Sequence, residues 1–194
     1  MDDPGASLEH FGENFTAATL PQKNLSGHQF EDCSFENCDL KGISLANTQL
    51  ITCIFKACDL SNVTFANARL REVDFESCKL LGIQWVQLAD LVNPSFRECN
   101  LDYCNFSALK LKKTSFARCT LREADFSHAE LPDCDFQGAD FLHARFLGTN
   151  LLKADFRGAV NYLIDPVNNK VRGARFSTPE VRGLLAGLGI IIDS

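Results

Sequence analysis

Leucine or phenylalanine occupies nearly every fifth position of this chain, beginning at Phe15, Leu20, Leu25, Phe30 and Phe35 and running through Leu80 to Trp85. An α-helix repeats every 3.6 residues and a strand every two, so neither generates this period. The pattern resumes one residue out of step at Leu91 and continues through Phe96, Leu101, Phe106, Leu111 and Phe116 to Phe156. Two residues before each large apolar position lies a smaller one, and all nine cysteines fall in that slot: Cys33, Cys38, Cys53, Cys58, Cys78, Cys99, Cys104, Cys119 and Cys134. Ala68, Ala124, Ala129, Ala139 and Ala154 hold it elsewhere, which reads as a demand for volume and not for a thiol. The remaining three positions of each five are mostly polar, as expected of backbone facing water. Phe11 and Phe176 are the phenylalanines off this grid.

Stacked coils place like residues in columns. A period of twenty produces one column that is entirely phenylalanine, Phe15, Phe35, Phe55, Phe75, Phe96, Phe116, Phe136 and Phe156, and another of leucines, Leu20, Leu40, Leu60, Leu80, Leu101 and Leu121. A period of fifteen mixes the two. Four sides of five residues therefore make one coil of an all-β solenoid over residues 13–160. About seven coils at the ~4.8 Å strand spacing give a rod roughly 35 Å long. Residues 1–12 are expected to form an N-terminal cap or flexible segment, and 161–194 a C-terminal capping and dimerisation segment.

The grid breaks in two places. One residue is gained between Trp85 and Leu91, so a register shift with an outward corner is expected over 86–95, where Leu88 and Asp90 become a candidate contact point. The normally polar position after the large residue becomes Leu142, Leu147 and Leu152 on successive sides of the last full coil. Ser177-Thr178-Pro179-Glu180 reads as an N-cap with a capping-box glutamate, followed by a helix over about 178–188 that puts Val181, Leu184, Leu185 and Leu188 on one face; Ile190 begins a short apolar tail. Helix and tail are expected to cover the open end of the solenoid and, with the outward leucines, to form a two-fold dimer interface.

Composition adds exclusions. The net charge of −6 argues against general affinity for DNA or anionic membranes. No export signal precedes the repeat and no apolar run is long enough to span a bilayer, so the expected compartment is the cytoplasm, where the cysteines stay reduced. His10, His28, His128 and His143 stand beside no nucleophile in a triad, and cysteines one repeat apart do not have zinc-knuckle spacing. The reading is a non-enzyme with no catalytic residues, no metal and no cofactor.

Segments such as Ala124-Asp125-Phe126-Ser127-His128 and Ala154-Asp155-Phe156-Arg157-Gly158 resemble the pentapeptide-repeat motif: a small residue, Asp or Asn, Leu or Phe, then two polar or small residues. The resemblance implies a right-handed quadrilateral β-helix. Asn161-Tyr162-Leu163-Ile164-Asp165 and the segment from Phe176 to Ile190 resemble the ending of the bacterial members that protect type II topoisomerases, among them quinolone-resistance proteins and immunity proteins against albicidin and microcin. That likeness implies a homodimeric rod imitating B-DNA, which binds DNA gyrase or topoisomerase IV and protects it from a poison. The alternative is a non-catalytic scaffold for another protein.

Sorted by column, the all-Phe side carries Asp32, Glu36, Glu72, Asp74, Glu76, Asp133, Asp135 and Asp155 against Lys56, Arg97, Lys113, Lys153 and Arg157. The next side carries Asp39, Asp59, Glu98, Asp102 and Asp140 and is acidic by one, while the side with Arg69, Arg71, Lys110 and Lys112 is basic by one. The acidic sides are the expected topoisomerase-facing surface.

Overall fold

The structure is a computed structural model that describes residues 8–17, 24–185 and 188. Its strands are very short: β1 (Glu9–Phe11), β2 (Asn14–Thr16), β3 (Gln29–Glu31), β4 (Ser34–Glu36), β5 (Gln49–Ile51), β6 (Ile54–Lys56), β7 (Arg69–Arg71), β8 (Asp74–Glu76), β9 (Asp90–Val92), β10 (Ser95–Arg97), β11 (Asp155–Phe156) and β12 (Arg175–Phe176). All pairings are parallel. One sheet runs β1-β3-β5-β7-β9 and a second β10-β8-β6-β4-β2, with like residues facing across each step, as in Phe35 on Phe55 and Phe55 on Phe75. Isolated parallel bridges such as Asp39↔Asp59 and Asn105↔Asp125 continue the ladder along the other sides. The result is a four-sided parallel solenoid of about eight turns.

Corners make the polygon. The residue two places after nearly every large apolar position of the regular coils adopts a left-handed conformation, as at Asn47, Asn62, Asn67, Glu72 and His128. Asn, Asp and Gly tolerate that region best, which is why small polar residues gather there. At Gly148 (φ 64°) a Cβ would lie 2.8 Å from His128 Nδ1 one coil below, so both backbone and packing favour glycine.

Two aromatic ladders run through the core beside columns of buried leucines. Rings of the all-Phe column stack at centroid spacings such as 4.5 Å (Phe35–Phe55) and 5.3 Å (Phe75–Phe96). A second column, Phe65, Trp85, Phe106, Phe126 and Phe146, stacks beside it, and the two meet edge to face, as in Phe106–Phe116 at 5.4 Å and 86°. All eight expected core phenylalanines are buried, and the column crosses the register shift without losing its stacking, Phe96 lying 6° from parallel to Phe75. The smaller slot is more than filler. Cys53, Cys58, Cys78 and Cys99 each donate a thiol hydrogen bond of 3.3–3.4 Å to the carbonyl of the large residue in the preceding coil, and Thr149 does the same to Phe126 at 2.9 Å. Alanine fits the slot, but a thiol or hydroxyl also engages a main-chain carbonyl.

Four sequence expectations change. The coil continues beyond 160: Lys170 bridges Asn150, Arg175 pairs with Asp155, and Phe176 stacks on Phe156 at 5.1 Å, so Phe176 lies on the grid after all, twenty residues on. Asn161 and Pro166 hide the continuation because they stand where the five-residue count expects large apolar residues, whereas Tyr162 and Ile164 fill the interior and Asn161 is exposed at a corner. At the other end Glu9–Phe11 is a strand of the first sheet and not part of a separate cap, which brings the turns to about eight instead of seven. The expected helix over 178–188 is instead a 3₁₀ turn, Glu180–Leu184, closed by i→i+3 bonds such as Leu185 N–H to Arg182 O at 2.9 Å. Ser177 does not cap it; its hydroxyl accepts the Gly158 N–H at 2.9 Å. Gly183 explains the change, since its Cα lies so close to Tyr162 that an added Cβ would collide with that carbonyl, and glycine weakens an α-helix besides. The tail residue Ile190 lies outside the described residues.

Candidate functional site: the charged sides of the rod

The Asp or Asn before many of the large residues has a structural task. Asp39 accepts the N–H of Lys41 at 3.2 Å, Asp59 that of Ser61 at 3.0 Å, Asp135 that of Gln137 at 3.0 Å and Asp155 that of Arg157 at 3.1 Å; Asn100, Asn105 and Asn150 make the same bond. These Asx turns fold the chain toward the next corner. Part of the acidic surface is therefore a by-product of the coil, a role the spacing alone did not reveal.

Cations one coil away neutralise several carboxylates. Lys56–Glu76 (3.8 Å), Lys79–Asp59 (4.0 Å), Arg118–Glu98 (2.7 Å), Arg122–Asp140 (2.8 Å) and Arg175–Asp155 (3.6 Å) all join stacked coils. The Arg157 guanidinium, bonded to both Asp155 carboxylate oxygens, holds that carboxyl below the usual range. Such exposed pairs contribute about 0–1 kcal/mol each, but they do cancel field. Of the expected topoisomerase-facing acids, Asp59, Glu76 and Asp155 have a cation within 4.0 Å, whereas Asp32, Glu36, Asp39, Glu72, Asp74, Asp102, Asp133 and Asp135 have none among the described residues. Five of these eight lie on two adjoining sides and three, Asp32, Glu72 and Asp133, at the corner that leads into the all-Phe side, in separate groups: Asp32, Glu36 and Asp39 within one coil, Glu72 with Asp74, Asp102 by itself, and Asp133 with Asp135.

The fourth side is uncharged from Asn24 to Ala108. Its outward residues there are Asn, Ser, Thr, Gln, Ala, Gly and Val, among them Asn24, Ser44, Thr64, Gln84 and Asn105 in vertical register.

At the register shift the structure keeps Leu88 half-buried and Asp90 exposed, with Asp90 3.9 Å from Arg71. At the C-terminal end Leu142 and Leu147 are exposed and Leu152 half-buried, and Leu163 and Val167 add exposed apolar surface that the pattern did not indicate, being on the irregular stretch after Phe156. Val181, Leu184 and Leu185 are half-buried, with Leu184 packed on the core; Leu188 is exposed. The 3₁₀ turn approaches Leu142 across a cavity of about 560 Å³ lined also by His143, Tyr162, Leu163 and Arg182, while Leu147 is not among its walls. Among the described residues no three His, Cys, Asp or Glu side chains are grouped to hold a metal ion, and no helix is long and apolar enough to cross a membrane.

The repeat grammar, the corners and the stacked core together match the model of the pentapeptide repeat region, over residues 28–106 and 87–156. The chain belongs to the pentapeptide-repeat family. Its fold is similar to that of QnrB1, a plasmid-mediated fluoroquinolone resistance protein. Against a trypsin-treated variant of QnrB1, the TM-score is 0.65 at 22% identity, covering 95% of this chain and 100% of that one. Against full-length QnrB1 it is 0.59 at 20% identity, covering 94% and 97%. A search of the curated proteins returns no match. This pentapeptide-repeat protein thus shares its fold along nearly its whole length with a resistance protein.

Proposed function

We propose that this rod is a non-catalytic, cytoplasmic decoy that binds DNA gyrase or topoisomerase IV in place of DNA and protects the enzyme from a topoisomerase poison. The observation that carries the reading is the near end-to-end correspondence of its coils with those of a fluoroquinolone resistance protein. The carboxylates without an ion-pair partner give the rod negative charge of the sign such a decoy would use. The apolar end around Leu142, Leu147, Leu163 and Leu188 supplies a surface through which two rods would join into a homodimer of doubled length. The test is DNA supercoiling by purified gyrase with and without a fluoroquinolone or an albicidin-type inhibitor, the chain being titrated in. Restored supercoiling is expected; no effect on either enzyme under any inhibitor overturns the proposal.

A second reading, a scaffold for an unrelated protein, is favoured by one observation: inter-coil ion pairs at Asp59, Glu76, Asp140 and Asp155 leave a weaker polyanion than a DNA decoy ordinarily requires. Binding that is indifferent to salt would support it.

A further inference from the structure

The solenoid ladder is open on one side. In every regular coil the large apolar residue, its corner residue and the residue before it bond across to a neighbouring coil; around Leu111 these are Leu111 N–H to Glu130 O, Lys113 N–H to Pro132 O and Glu130 N–H to Leu109 O, at 2.8–3.0 Å. The equivalent bonds between β9 and the following coil would join Leu91 N–H to Lys110 O, Asn93 N–H to Lys112 O and Lys110 N–H to Ala89 O. None of the three is formed, and β9 is the terminal strand of its sheet although the rod continues past it. On the adjoining side of the same two coils the ladder is intact, with Phe96 N–H to Ser115 O at 2.8 Å and Glu98 N–H to Ala117 O at 2.9 Å.

The cause is the extra residue. Trp85–Gln87 forms a 3₁₀ turn, and the N–H groups of both Ala89 and Asp90 converge on the Ala68 carbonyl, at 2.9 and 3.4 Å, which restores the register below β9 and lifts its upper edge. Pro94 contributes no N–H to this corner. The other leucines of the column, such as Leu70, Leu111, Leu131 and Leu151, are buried, but Leu91 is left half-buried, as are Leu88 and Leu109 beside it. The split contains a cavity of about 270 Å³ walled by these leucines, and a second of about 190 Å³ follows along the same two coils, walled by Asn93, Pro94, Lys112 and Thr114. Thr114 is buried and its hydroxyl has no partner among the described residues.

The rim is cationic in an acidic protein, its carboxylate Asp90 lying 3.9 Å from Arg71. Lys110, Lys112 and Lys113 are exposed and have no carboxylate within 4.0 Å among the described residues, unlike Arg118, Arg122, Arg157 and Arg175 on other parts of the rod. An occupant must therefore bring carboxylates to the lysines, carbonyls to the unpaired N–H groups of Leu91, Asn93 and Lys110, and an apolar side chain to the leucines. Those requirements are met together by an extended polypeptide.

We propose that the split between β9 and the 108–113 coil is a docking groove for an extended acidic segment of a partner protein, held by main-chain hydrogen bonds along the open edge with one apolar side chain anchored between Leu88, Leu91 and Leu109. The groove does not depend on the topoisomerase reading, because its recognition chemistry is opposite in sign to that of the acidic sides.

The test uses the whole chain and a fluorescein-labelled decapeptide of alternating Glu and Leu, with its Lys-Leu counterpart and a short DNA duplex as competing probes. Binding of the Glu-Leu peptide is expected to slow amide exchange at Leu91, Asn93 and Lys110, and to weaken about tenfold or more in the Lys110→Glu, Lys112→Glu, Lys113→Glu triple variant. Those lysines are exposed, so the variant folds, and exchange at Phe96 and Glu98 serves as the internal reference. Failure of the Glu-Leu peptide to bind, equal binding of the Lys-Leu peptide, or slowed exchange produced better by the duplex than by the peptide each overturns the proposal. None of these outcomes bears on gyrase protection, so the two readings fail separately.

Discussion

Phe176 lies on Phe156 with ring centroids 5.1 Å apart and planes 12° from parallel, continuing the column that begins at Phe15. Tyr162 closes against both rings at 5.8 and 5.5 Å. The last coil is thereby a full member of the stack, and its removal exposes Phe156. Truncating Phe96 to Ala, in the middle of the column, should cost about 3–5 kcal/mol. Phe176→Ala should cost less, since that ring is half-buried and terminal. Urea unfolding of the two variants checks the order; an equal loss would mean that the terminal coil carries as much of the cooperativity as the centre.

All nine thiols are buried and free of disulfides, and burial pushes Cys38, Cys53, Cys104 and Cys134 up to about 12. Native protein should therefore resist a thiol reagent at neutral pH, and all nine should react once the chain is unfolded. Because these values are raised, the folded state keeps protons that the unfolded state loses. The stability they contribute is intact below the unfolded value of 9.0 and falls as pH rises from there toward about 12. Thermal melts at about pH 8 and about pH 10, either side of that onset, check this.

His10 and His28 are buried at the first coil, Nε2 of one 3.0 Å from Nδ1 of the other, with Glu13 3.2 Å from His10 Nδ1. Desolvation, then the neighbouring His10, lowers the His28 pKa. A histidine lowered in the folded state stabilises it above the unfolded value of 6.5, and that contribution is lost as pH falls toward the lowered value. The first coil should loosen in mild acid before the rest. Amide exchange at β1 and β2 measured at about pH 5 and about pH 7 tests it, and a His28→Thr variant, carrying the residue that Thr48 supplies one coil on, should remove the difference.

Much of this fold is legible in the residues themselves. A five-residue apolar period and a twenty-residue recurrence of like rings permit little besides a four-sided coil, because stacking rewards identical neighbours. The register shift is equally plain, since Trp85 and Leu91 are six apart. What escapes the pattern does so for physical reasons. Asn161 and Pro166 break the apolar signal and the ladder lapses beside them, with no bridge between Arg145 and Asp165 and no Phe146 N–H to Asp165 O bond, before Leu151 N–H to Lys170 O resumes the coil. Gly183 turns a helical pattern into a 3₁₀ turn through a close approach to Tyr162 that no sequence period encodes. On the charged sides the columns follow from the spacing, but the pairing of Asp59, Glu76 and Asp155 with cations depends on side-chain reach. The opening above β9 follows from where the extra residue is absorbed, which the count of residues leaves free.

If the unpaired acids form the functional surface, their loss should matter more than that of paired ones. Asp32→Asn with Glu36→Gln and Asp74→Asn should weaken topoisomerase binding by about tenfold or more at low salt, whereas Glu76→Gln, already paired with Lys56, should change it little. Fold should be unaffected in both, as circular dichroism would confirm.

The most direct measurement is competition for gyrase between the purified chain and a DNA duplex across a salt series. The account predicts that the chain displaces DNA at low salt, that its own binding weakens steeply as salt rises, and that the triple acid variant loses the effect. Absence of binding to gyrase and to topoisomerase IV at low salt, or binding that is unchanged by salt and by the variant, would contradict it.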